Sequence, residues 1–158
     1  MKRRKLLLIA MVLAVVALFS ACSQSSNDMH DGYYSAEMVS FDEHSWKEFL
    51  TIYVSDDRII TVEYNAKNAS GFIKSWDMNY MRTMKEIAGT YPNEYTRTYA
   101  SSLLDLQDAS EVDAITGATH SYHNFQALAE AAIAQARAGD KQVALVEFPE
   151  SDDEAAEG

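Results

Sequence analysis

The stretch best equipped for chemistry is Asp113-Ala114-Ile115-Thr116-Gly117-Ala118-Thr119, followed by His120-Ser121. It lies between two segments of helical periodicity, so it reads as a tight loop feeding a helix N-terminus. Such a terminus offers unpaired backbone N–H groups and a partial positive charge, which favour phosphate. Gly117 admits backbone angles that other residues avoid and lets a ligand approach closely, while Ala118 keeps the surface bare. Thr119 presents a hydroxyl just before the helix, and Ser121 is placed to act as its N-cap. The loop could hold a phosphorylated ligand, with Thr119 as a covalent attachment point. The same residues also suit a helix cap and nothing more.

Other side chains could serve such a site. Trp46, Trp76, Tyr80, Met78 and Met81 could wall a flat ring, or simply pack in a core. His120 and His123 follow the loop and could add charge or a hydrogen bond near a phosphate. No third ligand stands near them, so no metal site is expected. Lys67, Lys74 and Arg82 are scarce positive charges, and a solvated helix face accounts for them better than contact with an anionic ligand or a docked protein does. No Ser/His/Asp arrangement, Gly-rich nucleotide fingerprint or P-loop is legible.

The elements that must position these residues follow a β-then-α order. Gly32 to Val39 reads as a strand after a turn at Asp31-Gly32. Lys47 to Val54 alternates, with Leu50, Ile52 and Val54 on one face. After a turn at Ser55-Asp56-Asp57, Arg58 to Tyr64 alternates again, with Ile60, Val62 and Tyr64 expected to face one way. The period then lengthens. Trp76, Tyr80, Met84 and Ile87 mark one helix that Gly89 stops, and Pro92 opens a second through Tyr95, Tyr99, Leu103 and Leu106. Phe125, Leu128, Ala129, Ala132, Ile133 and Ala136 form the stripe of a third that ends near Gly139. Val143 to Phe148 alternates as a closing strand. The expected fold is a single α+β domain, a twisted antiparallel sheet with about three helices packed on it.

The ends have other duties. Lys2, Arg3, Arg4 and Lys5 precede an apolar run from Leu6 to Phe19, which is short for a membrane span of about 20 residues. Residues 1–21 are therefore expected to be a signal peptide. Ser20-Ala21-Cys22 resembles the lipobox of bacterial lipoproteins, with Phe19 rather than Leu in the favoured slot. Cys22 is the only cysteine, so it forms no internal disulfide, and lipidation accounts for it. Residues 22–30 read as a flexible tether, 31–149 as the functional domain, and 150–158 as an acidic disordered tail. Removing the leader takes four of the thirteen basic residues and none of the 24 acidic ones, leaving a formal charge of −15. That charge argues against a nucleic-acid partner and against anionic headgroups, so lipid rather than protein surface should hold the domain at a membrane.

The loop resembles a family motif: Asp, two variable residues, Ser or Thr, Gly, Ala, then Thr or Ser. Asp113, Thr116, Gly117, Ala118 and Thr119 fill it without a mismatch. It belongs to the FMN-binding domains of bacterial flavoproteins, including the C and G subunits of sodium-pumping and Rnf-type oxidoreductases. Asp31-Gly32-Tyr33-Tyr34, the hairpin at Ser55 to Ile59 and the Ala-rich helix after the motif also recur in that layout, so the resemblance covers most of residues 31–139. Asn65 to Tyr99 is less typical, and resembles the membrane-anchored lipoprotein branch sometimes labelled a major membrane immunogen. The resemblance implies FMN in phosphoester linkage to Thr119, installed by a Mg²⁺-dependent flavin transferase with FAD as donor. Asp113, Thr116, Gly117 and Ala118 would form the recognition loop. It further implies electron relay from a membrane redox enzyme rather than substrate turnover. A cofactor-free binding lipoprotein of the same fold remains the alternative, followed by an FMN-dependent reductase.

Overall fold

Strand β1 (Gly32–Met38) pairs antiparallel with β2 (Lys47–Ser55) in one unbroken register from Gly32↔Val54 to Glu37↔Phe49. The computed structural model describes residues 28–149. The expected signal peptide, Cys22, most of the tether and the acidic tail lie outside the described residues. A two-residue turn links β2 to β3 (Arg58–Lys67), and both of its residues, Asp56 and Asp57, have positive φ. That geometry matches the twist of an antiparallel pair and suits short acidic or amide side chains.

The register slips between Tyr53 and Val54: Val54 pairs with Ile59, whereas Tyr53 pairs with Thr61. Ile60 is the extra residue of a bulge. Strict alternation would have turned Ile60 inward, but it is 48% exposed while Ile59 is 1% exposed. Gln107 secures the bulged edge, accepting from the Ile59 N–H at 2.8 Å and donating to the Ile59 carbonyl at 2.9 Å.

Three helices follow. Asp77 caps α1 (Met78–Ala88), accepting from the N–H groups of Asn79 and Tyr80, and Gly89 ends it in the left-handed region. This cap sets the start beyond Trp76, which lies instead in a 3-10 turn, Lys74–Trp76. Helix α1 buries none of its residues completely, and Ile87 of the expected apolar stripe is 82% exposed. Pro92 opens α2 (Pro92–Leu106), which buries Tyr95, Tyr99 and Leu103 but leaves Leu106 largely outside. Helix α3 (Thr119–Ala138) buries the whole expected stripe from Phe125 to Ala136. Its alanines let the helix lie close against β1 and β2, with Phe125 and Leu128 as the large fillers. Each of those two contributes about 1.5–3 kcal/mol by leaving water.

The closing strand β4 (Ala144–Val146) adds beside β1, giving the order β3-β2-β1-β4. It runs parallel to β1, so the four-stranded sheet is mixed rather than wholly antiparallel. The physical reason is the route: the chain leaves one sheet edge, traverses three helices and returns to the other. A connection of that length permits a parallel pair, which a hairpin does not. The result is one α+β domain.

Candidate functional site

The motif loop is held from below by one hydroxyl. Tyr99 on α2 is fully buried, and its phenol accepts from the Ile115 N–H at 3.1 Å and donates to the Ala118 carbonyl at 3.2 Å. Burial pushes this phenol's pKa up, so it remains neutral and can do both. Gly117 stands between these anchors at φ +83°. A Cβ there would collide with the Ala88 carbonyl oxygen at the end of α1. The position requires glycine twice, for its backbone angle and for its contact with α1.

Thr119 is the first residue of α3, exposed, with Ala118 at the N-cap position and no side chain capping the helix. Ser121 is not the expected cap. It lies inside the first turn, is 8% exposed, and its hydroxyl is 3.3 Å from Glu48 Oε1. Its diversion leaves the helix tip without a side-chain competitor for an anion.

Beside this tip opens a cleft of about 260 Å³. Gly117, Ala118, Thr119, His120 and Ser121 form one wall; Lys74, Tyr80, Met84, Tyr95 and Glu48 stand around the rest, with Asp42, Glu43 and His44 at its acidic margin. That volume is slightly below the usual range for enclosed small-molecule pockets, about 300–1,000 Å³, which suits a ring seated partly in the open.

The residues expected at the site divide into two groups. Gly117, Ala118, Thr119, His120 and Ser121 share the cleft, whereas Asp113 and Thr116 are exposed on the loop outside its lining. Trp46 is buried behind the cleft, edge-on to Tyr80 with ring centroids 6.3 Å apart. Trp76 is 64% exposed against Phe72 and is not part of the lining, and neither are Met78 and Met81. Lys67 pairs with Glu37, and Arg82 is exposed.

Three side chains at the site were not foreseen in these roles. Lys74 is 6% exposed, not on a solvated face. An isolated bridge between Lys67 and Ile73 folds the chain back after β3 and delivers it there. Its ammonium lies 5.0 Å from the centre of the Tyr80 ring and 5.9 Å from that of Trp46. Glu48 is 5% exposed, and the Tyr64 phenol oxygen is 2.7 Å from its Oε2 and 2.8 Å from the Ser121 carbonyl. Burial raises the Glu48 pKa, against opposing pulls led by Tyr64 and then Lys74. Burial, followed by the nearness of Glu48, pushes the Tyr64 phenol far up. A signal for Glu48 existed: it sits two residues before Leu50, on the inward face of the Leu50, Ile52, Val54 alternation.

These features define a domain built to present a hydroxyl at a bare helix tip beside a partly aromatic cleft. The chain belongs to the FMN-binding domain family, whose sequence profile matches residues 47–134. It is similar to the 15 kDa lipoprotein of Treponema pallidum, at 35% identity over 133 residues, 84% of this chain and 93% of that one. The crystal structure of a Clostridium perfringens protein superposes with a TM-score of 0.73 at 34% identity, covering 77% of this chain and 99% of the other. No helix among the described residues is long and apolar enough to cross a membrane.

Proposed function

We propose that this chain is an exported lipoprotein, anchored through Cys22, that carries FMN in phosphoester linkage to Thr119 and relays electrons outside the cytoplasmic membrane. The observation that carries the reading is the placement of Thr119: an exposed hydroxyl at the first position of an uncapped helix, opening onto the cleft. A phosphate esterified there meets the helix's positive end. The cleft fits the rest of the group, because it combines aromatic and methionine surface with a lysine, Lys74, that has no ion-pair partner among the described residues. FMN, when bound, supplies the redox chemistry; the protein supplies position and electrostatics.

Attachment balances with FAD as donor. The Thr119 hydroxyl oxygen bonds to the FMN phosphorus, the pyrophosphate bond breaks, and AMP leaves as the hydroxyl proton is released. A separate flavin transferase would perform this step. Covalency suits a place with little free flavin, since a tethered ring keeps a high local concentration. The 15 kDa lipoprotein relative supports the anchoring half of the reading.

The test is co-expression of the full chain with a flavin transferase, followed by intact mass and fluorescence of the denatured band. The parent should gain the mass of FMN less water and fluoresce, while Thr119→Ala should fold yet stay dark. Equal flavin on both would refute the assignment to Thr119. A dark parent would favour the cofactor-free binding lipoprotein.

A further inference from the structure

We infer that Glu48 is kept as a neutral acid beneath the cleft, so that Lys74 presents an uncompensated positive charge to the electron-rich edge of the bound ring. The inference rests on the flavin reading of the same cleft, but its first half stands on the protein alone.

Tyr64 has one phenolic hydrogen, yet its oxygen lies 2.7 Å from Glu48 Oε2 and 2.8 Å from the Ser121 carbonyl. A carbonyl can only accept, and so can an ionised carboxylate. With Glu48 ionised, one hydrogen faces two acceptors in a buried site. With Glu48 protonated, the acid hydrogen goes to Tyr64, the phenolic hydrogen goes to the Ser121 carbonyl, and the Ser121 hydroxyl serves Oε1. Every short contact is then a complete hydrogen bond. Asn124 Oδ1, also buried, has no donor among the described residues, while the Asn124 side chain hydrogen-bonds toward Glu48 and favours its ionised form, a smaller influence than the burial that opposes it.

Tyr64 faces Glu48 from β3, Tyr95 and Tyr99 from α2, Ser121 and Asn124 from α3, and Lys74 from the 3-10 turn, while Asp42, Glu43, His44, Tyr80 and His120 line the same cleft. Lys74 is the one lysine or arginine among these groups, and it forms no ion pair with Glu48 within 4.0 Å. The Lys74 ammonium also makes no hydrogen bond among the described residues and rests on the faces of Tyr80 and Trp46, which hold a cation without neutralising it. Lys74 is 6% exposed as a residue and lines the cleft with no ion pair among the described residues, so its ammonium is free to meet an anionic or electron-rich ligand group there. The phosphate has the helix tip, so Lys74 is assigned to the ring. A positive charge there favours the reduced, more electron-rich ring over the oxidised one. Lys74 is thus a residue that sets potential, and Glu48 a positioning residue that leaves its charge free.

Two measurements test this. On the flavin-free full chain, thermal midpoints of the parent and Glu48→Gln are compared across pH. A neutral folded Glu48 gains a proton-binding preference on folding, so the parent should lose ground to the Gln variant as pH rises from below 4.5 to about 8. A gap constant with pH would overturn the neutral acid. On the flavin-loaded chain, with loading fixed first by mass, midpoint potentials are read by dye equilibration. Lys74→Met should shift the potential negative, Lys74→Arg should restore it, and Glu48→Gln should leave it at the parent value near neutral pH. An unchanged potential in Lys74→Met, or a rise in Glu48→Gln, would overturn the inference. A parent that takes up no flavin would instead defeat the flavin reading and the Lys74 assignment with it, and the pH comparison would still decide Glu48.

Discussion

Removing a single oxygen atom from Tyr99 should loosen the motif loop without disturbing the core. The ring of Tyr99 stacks on Phe125 at 5.1 Å and contacts Tyr64, Tyr95 and Tyr122, so Tyr99→Phe keeps the packing. The Ile115 N–H loses its acceptor, while the Ala118 carbonyl still accepts from Tyr122 N–H at 2.9 Å. The cost is therefore that of one stranded donor, about 1–2 kcal/mol. For a domain of this size that lowers the thermal midpoint by roughly 3–8 °C. Tyr122→Phe is the control, since its hydroxyl has no hydrogen bond among the described residues and it should melt within about 0.5 kcal/mol of the parent. Flavin attachment is the second readout: a loop without its anchor should be loaded several-fold more slowly by the transferase. A Tyr99→Phe variant that melts and loads as the parent does would show that this hydroxyl does not anchor the loop.

Gly117→Ala should cost more, at least about 2 kcal/mol, because strain at positive φ adds to the collision with the Ala88 carbonyl; a melting curve superposed on the parent's would contradict it. Glu37 lies 2.8 Å from Lys47 and 2.7 Å from Lys67, whose hydrogen bonds lower its pKa below 4.5. Its stabilising contribution is therefore present above that value and lost as pH falls through the lowered one. Glu37→Gln should be less stable than the parent near neutrality and match it in strong acid, and a gap that persists there would show that the loss is not electrostatic.

Much of this molecule was legible because its signals are local. The α3 stripe, the left-handed stop at Gly89, the acidic turn at Asp56-Asp57 and Pro92 at a helix start each depend on residues a few positions apart. The misreadings came where distant partners decide. Ile60 was expected to face inward, but Gln107, 48 residues away from Ile59, holds the bulge that turns Ile59 in instead. The direction of β4 depends on where the chain returns after three helices. Lys74 reads as a surface charge until the Lys67–Ile73 bridge folds it against Trp46 and Tyr80.

Ser121 shows how such a long-range decision reaches the chemistry. By local rules a serine near a helix start caps the helix, and a cap here would compete with a phosphate for the same N–H groups. Its hydroxyl is instead beside Glu48, 73 residues earlier in the chain and on the inward face of β2. That acid sits in the core layer, where the same position in an ordinary strand would hold an aliphatic side chain. By engaging Ser121 it withdraws the nearest side-chain cap, and by engaging Tyr64 it ties the first turn of α3 to the sheet. The helix tip is thus fixed in place and left chemically open, which is the combination a hydroxyl needs if a phosphate is to be attached to it.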